Sequence, residues 1–159
     1  MFRTAALAVA AAAMIAFTAA PAMAGPAETA FLQKLTNTWS GKGKLSGAES
    51  GPIACKLVIK GAAKTTYQGR CNIPDMAQQA FSGSISYNDK LKRYEAKSVG
   101  GVVPGERRGD KLVFTTTSKN VRGTASSTMT MSANSLVVDF VLVDSKSGEK
   151  TSSRITFTK

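Results

Sequence analysis

Along most of the chain, apolar and polar residues alternate with a period of two, the pattern of strands with one covered face. Ile53, Cys55, Leu57 and Ile59 alternate with Ala54, Lys56, Val58 and Lys60. Tyr67, Gly69, Cys71 and Ile73 alternate with Gln68, Arg70 and Asn72 in the same way. Between the two runs, residues 61–65 form a Gly-containing connection of hairpin length. Folding the chain about residue 63 sets Cys55 opposite Cys71, Leu57 opposite Gly69 and Ile59 opposite Tyr67. A one-residue slip would turn one strand inside out, so the apolar pattern and the cysteines select the same register.

The pattern continues after the hairpin. Residues 80–87 place Phe81, Gly83, Ile85 and Tyr87 on one face and serines on the other. A polar turn at 88–93 returns the chain through 94–100, and Gly100-Gly101 and Pro104-Gly105 then break the alternation. This predicts a long loop containing Arg107 and Arg108. Further strands are predicted at 111–117 (Leu112 and Phe114 inward), 125–131 (Met129 and Met131), 136–143 and 152–158. The strand at 136–143 carries Leu136, Val138, Phe140 and Leu142 on its larger face and Asp139 on the other. Ile155 and Phe157 face inward in the last. Before the hairpin, residues 25–37 read as one short helix with Ala27, Ala30, Phe31 and Leu35 on a face, Glu28 early and Lys34 late. Trp39, the single tryptophan, opens the first strand.

These elements predict an all-β antiparallel meander of about eight or nine strands behind a short N-terminal helix, a number at which a sheet closes into a barrel. The inward positions mix large residues with Gly69, Gly83, Ala96 and Ser98. Small inward side chains either let a narrow barrel close tightly or leave a cavity, and the pattern does not choose.

The first 24 residues stand apart. One arginine, an alanine-rich apolar run and Pro21-Ala-Met-Ala24 read as a secretory signal peptide cleaved after Ala24, leaving one domain over 25–159. An alanine-dominated signal suits export to a bacterial periplasm, an oxidising compartment. In that setting Cys55 and Cys71, the only cysteines, are expected to form a structural disulfide. The alternatives are two buried thiols or a metal or redox pair. A metal would lack partners, since the chain has no histidine, and no C-x-x-C motif is present.

The chain has 21 Lys and Arg against 10 Asp and Glu, a formal charge of +11. Outside the cytoplasm, no nucleic-acid partner is expected for that charge; anionic lipid, acidic glycan and acidic protein are the candidates beside plain solubility. Lys56, Lys60, Lys64 and Arg70 project from one side of the hairpin and form the candidate anionic-surface site. The hairpin register also sets Lys56 opposite Arg70. Either solvent and salt screen this like-charge pair, or the face is kept positive to meet something anionic.

Catalytic residues are few. Without histidine there is no Ser-His-Asp triad and no histidine-ligated metal. Glu95 and Asp139 lack a sequence partner for acid–base work, no motif marks a Ser–Lys dyad, and Arg108-Gly109-Asp110 is ordinary turn chemistry. No enzyme, cofactor or metal site is expected.

A short helix, a tryptophan at the start of the first strand and a meander of about eight strands resemble the lipocalin-like (calycin) barrels. Asn37-Thr38-Trp39 stands at the lipocalin G-x-W position, with asparagine for glycine. Arg154 is the nearest match to the late arginine that packs on that tryptophan, although alternation sets it opposite Ile155 and Phe157. The resemblance implies a barrel that binds a small apolar or amphiphilic ligand, with or without an anionic head group, or a barrel used as a binding scaffold. Trp39, Tyr67, Phe81, Ile85, Phe114 and Phe140 are the candidate cavity residues. A second similar group, the periplasmic metalloprotease inhibitors, implies instead a protein-binding module, a peptidase inhibitor or an envelope interaction protein using its outer face, which an interior filled by side chains would favour.

Overall fold

The computed structural model describes residues 25–48, 50–61, 64–73, 78–121 and 123–159. The expected signal peptide, residues 1–24, lies outside them. A helix α1 (Pro26–Lys34) precedes ten strands. These are β1 (Asn37–Gly47), β2 (Gly51–Lys60), β3 (Thr65–Asn72), β4 (Gln79–Asn88) and β5 (Arg93–Ser98). They continue as β6 (Gly101–Arg108), β7 (Lys111–Asn120), β8 (Gly123–Met131), β9 (Leu136–Asp144) and β10 (Lys150–Thr158). Each strand pairs antiparallel with the next, and β1 pairs back onto β10, so the meander closes into a barrel with no free edge.

The hairpin register is the one the pattern predicts: Cys55↔Cys71, Leu57↔Gly69 and Ile59↔Tyr67, with Lys56 facing Arg70 on the outside. Cys55 and Cys71 form the disulfide. The strand missing from the sequence reading is β6, which occupies the expected long loop. Pro104 sits on its outer face opposite Glu95, and Gly105 faces inward opposite Phe114. Gly105 therefore serves packing and not a turn, because any side chain there would overlap the Phe114 ring.

That arrangement recurs. Gly41 faces Phe157, Gly69 faces Phe81, and Gly83 faces Tyr67, each directly across the ladder. In all four pairs the aromatic ring covers the glycine where a Cβ would stand. Glycine in a strand marks such a close approach. The rings lie against the wall instead of crossing the barrel, and this leaves space inside.

The two ends of the barrel differ. One is closed by α1, whose Phe31, Leu32 and neighbouring Leu35 are buried together with Trp39, Leu112 and Leu136. Phe31 and Tyr94 pack ring to ring at 5.8 Å, and the Arg107 guanidinium lies 4.4 Å from the Phe31 centroid. Ala27 and Ala30, expected on the apolar face, are exposed, and Leu32 takes their place in the core. Nine residues make a marginal helix alone, so its burial against the barrel holds it. At the other end the lining thins: Phe81 is 38% and Leu142 37% exposed. Among the described residues, the lumen opens there.

Candidate functional site

The inward faces of the strands enclose an apolar lumen at two levels. The inner level, about 310 Å³, is lined by Leu57, Tyr67, Phe81, Ile85, Phe114 and Met129, among others. The outer level, about 510 Å³, is lined by Leu45, Ile53, Ile73, Phe140 and Leu142 and reaches the rim at Asp144 and Glu149. Both share Ser127, Val138 and Ile155 as walls, so they are successive depths of one space. Such volumes fall within the range of small-molecule sites.

Four of the six sequence-predicted cavity residues, Tyr67, Phe81, Ile85 and Phe114, meet around the inner level. Phe140 stands one level out, because its place on β9 is nearer the open end. Trp39 lies elsewhere. Its position at the start of β1 puts it at the closed end, fully buried under the helix, where its indole N–H donates to the Leu35 carbonyl at 3.4 Å. The cation over its ring is Lys159 at 5.4 Å; Arg154 instead pairs with Asp139 at 3.2 Å on the outer face.

Val103 also lines the inner level, outside the sequence expectation, because Gly100-Gly101 and Pro104-Gly105 predict a loop where β6 stands. Met129 and Ser127 line it too, likewise outside the expected set, although their inward parity on the predicted strand points to them.

Among the described residues, the inner lining holds no charged side chain. Its polar groups are the Tyr67 phenol and the Thr116 and Ser127 hydroxyls. Burial pushes the Tyr67 phenol above its ordinary 10.0, with a hydrogen bond to Ser98 opposing, so it stays protonated at neutral pH and can donate. At the rim the Asp144 carboxylate is held below its ordinary 3.8, chiefly by the Ser147 and Lys146 backbone N–H groups. Its Oδ1 takes both bonds at 2.8 Å, so this acid shapes the β9–β10 loop.

Tyr94, at the closed end, has a buried hydroxyl with no partner in good hydrogen-bonding geometry among the described residues. Burial raises its pKa, and the nearby Arg107 guanidinium opposes that. Both sequence-flagged carboxylates are paired on the outer wall: Glu95 with Arg93 and Lys97, Asp139 with Arg154. Among the described residues, no cluster of three His, Cys, Asp or Glu could hold a metal.

The four candidate anionic-surface residues do not form one patch. Lys56 and Arg70 face each other midway along the outer wall, beside Lys42 and Asn72 in a shallow depression. Lys60 and Lys64 lie at the closed end, flanking the β2–β3 turn.

No protein-family model matches the chain, and no curated protein matches its sequence. Among solved structures, the chain is similar to the S-type phycobiliprotein lyase CPES from Guillardia theta, at 14% identity and a TM-score of 0.52. The match covers 82% of this chain and 90% of that one. At that identity the likeness is one of fold alone, a closed antiparallel barrel.

Proposed function

We propose that the protein is a periplasmic, non-enzymatic carrier whose lumen takes one small apolar or amphiphilic molecule. The observation that carries this is the lumen itself: an apolar, ring-lined space, closed at one end and open at the other. A filled interior would have favoured a peptidase-inhibitor-like module; the glycine–aromatic pairs keep this one open. Burial of a ligand's apolar part contributes about 0.8 kcal/mol per methylene. A charged head group would have no partner at the inner level, so the apolar end enters first and a polar end stays at the rim. The Tyr67 hydroxyl fixes orientation as a neutral donor. The Cys55–Cys71 disulfide supports an oxidising compartment. The similar structure is named a lyase; here the inner level carries no charged side chain among the described residues, and the rim carboxylates Asp144 and Glu149 are hydrogen-bonded within the β9–β10 loop.

Native mass spectrometry of protein taken from its own host should show a co-purifying small molecule, displaced by a dansyl-labelled undecanoic acid. Ser127→Phe, at the junction of the two levels, should weaken that probe at least about tenfold, because the ring fills the space the ligand needs. Equal probe binding by parent and variant, with both folded, would refute the reading.

A further inference from the structure

The described residues expose seven large apolar side chains, and Leu91 is the one at the closed end. Phe81, Val99, Val102, Val121, Leu142 and Val143 all belong to the open end. Val99 and Val121 sit at the tips of the β5–β6 and β7–β8 turns and are 107% and 89% exposed, so neither packs on the barrel. Turns favour Gly, Asn, Asp and Ser, so turn chemistry does not account for valine there. The Val121 turn is tied in place, since Ser145 Oγ donates to the Val121 carbonyl at 2.7 Å.

Around the same rim, Lys44, Lys119, Lys146 and Lys150 are exposed, and none forms an ion pair among the described residues. The closed end is also basic, with Lys34, Lys90, Lys92 and Lys111. Charge alone therefore does not distinguish the ends; the aliphatic tips do.

We infer that the open rim is a docking surface for an anionic phospholipid bilayer, with Val99 and Val121 entering the head-group region and the rim lysines meeting phosphate. Peripheral binding of this kind combines buried apolar area with attraction to anionic lipid. Two convex tips on separate turns suit a fluid surface better than a preformed protein pocket. A protein seated there would also plug the mouth, whereas lipid makes an apolar path into it. The inference builds on the carrier reading, because it supplies the ligand's source, but Val99, Val121 and the rim lysines do not line the lumen.

The test is co-flotation of the protein with phosphatidylethanolamine–phosphatidylglycerol vesicles, against phosphatidylcholine vesicles as control. The parent should float with the anionic vesicles. Val99→Asp with Val121→Asp should lower retention about tenfold or more, since two valines lose their apolar burial and gain repulsion. Val99→Thr with Val121→Thr, nearly isosteric, should fall between. Leu91→Asp, at the closed end, and Lys56→Gln with Arg70→Gln, on the wall, should behave as the parent.

No retention of the parent on anionic vesicles would overturn the inference. So would equal retention of the parent and the tip variants, or a loss caused by the wall variant instead. Loading of dansyl-labelled undecanoic acid in vesicle-free buffer separates the two proposals. If the tip variants load normally, a vesicle failure strikes the rim alone; if no protein loads, the carrier reading falls and the flotation result stands.

Discussion

Glu95 lies on the outer face of β5 yet its side chain is only 6% exposed, covered by its own partners. Its carboxylate is held below the ordinary 4.5, first by the Asn88 amide at 3.1 Å and then by Arg93 and Lys97, while burial pushes the other way. A folded-state value below the unfolded one gives stability that is present above the unfolded pKa and lost as pH falls through the folded one. Asp144 has the same sign. Unfolding followed against pH should therefore show stability falling as pH drops below the ordinary carboxylate range. Glu95→Gln should flatten that acid limb. An identical acid limb in the variant would show that Glu95 carries none of the effect. Tyr67 has the opposite shift and titrates above 10.0, so ligand affinity should stay level from pH 6 to 9 as measured by probe titration, an interval about one unit or more below that value. Tyr67→Phe should cost about 0.5–1.5 kcal/mol of binding through one lost hydrogen bond.

Among the elements, the β2–β3 hairpin is where sequence and structure agree most fully. Its register, disulfide and outward Lys56–Arg70 pair all follow from alternation, because a period of two leaves only one pairing with both apolar faces inward. Removing either cysteine should cost about 2–5 kcal/mol in denaturant unfolding, the usual range for a small domain. Lys56→Gln with Arg70→Gln should leave stability unchanged or raise it by up to about 1 kcal/mol at low salt, with the gain fading as salt screens the exposed pair. A clear loss would mean that the pair has partners that stabilise it. The β6 strand was illegible for a definite reason. Glycine and proline announce a break locally, whereas Gly105 answers a ring on the neighbouring strand, a demand that only pairing creates. Gly105→Val should accordingly destabilise the barrel strongly by forcing Phe114 off the wall, even though valine favours strands.

For the whole molecule, closure of β1 onto β10 gives the barrel two unlike ends, and the carrier reading depends on that difference. A ligand that enters the open end and binds the folded state alone should raise the melting temperature with concentration, reaching about 2.7 kcal/mol of added stability at a hundred times Kd. A melting point that ignores saturating ligand would contradict binding in the lumen. The sequence by itself determined the antiparallel meander, the inward parity of most strands, the short helix and the disulfide, because these rest on local periodicity and on cysteine chemistry. It also grouped Tyr67, Phe81, Ile85 and Phe114, since parity alone puts them inside. Only the tertiary structure decided that Trp39 belongs to the plug and Phe140 to the outer level, because depth along a barrel depends on which end α1 closes. Whether the interior is filled or open was likewise beyond the sequence. That turns on four cross-strand pairings in which an aromatic ring lies over a glycine, and no run of neighbouring residues encodes a pairing between strands.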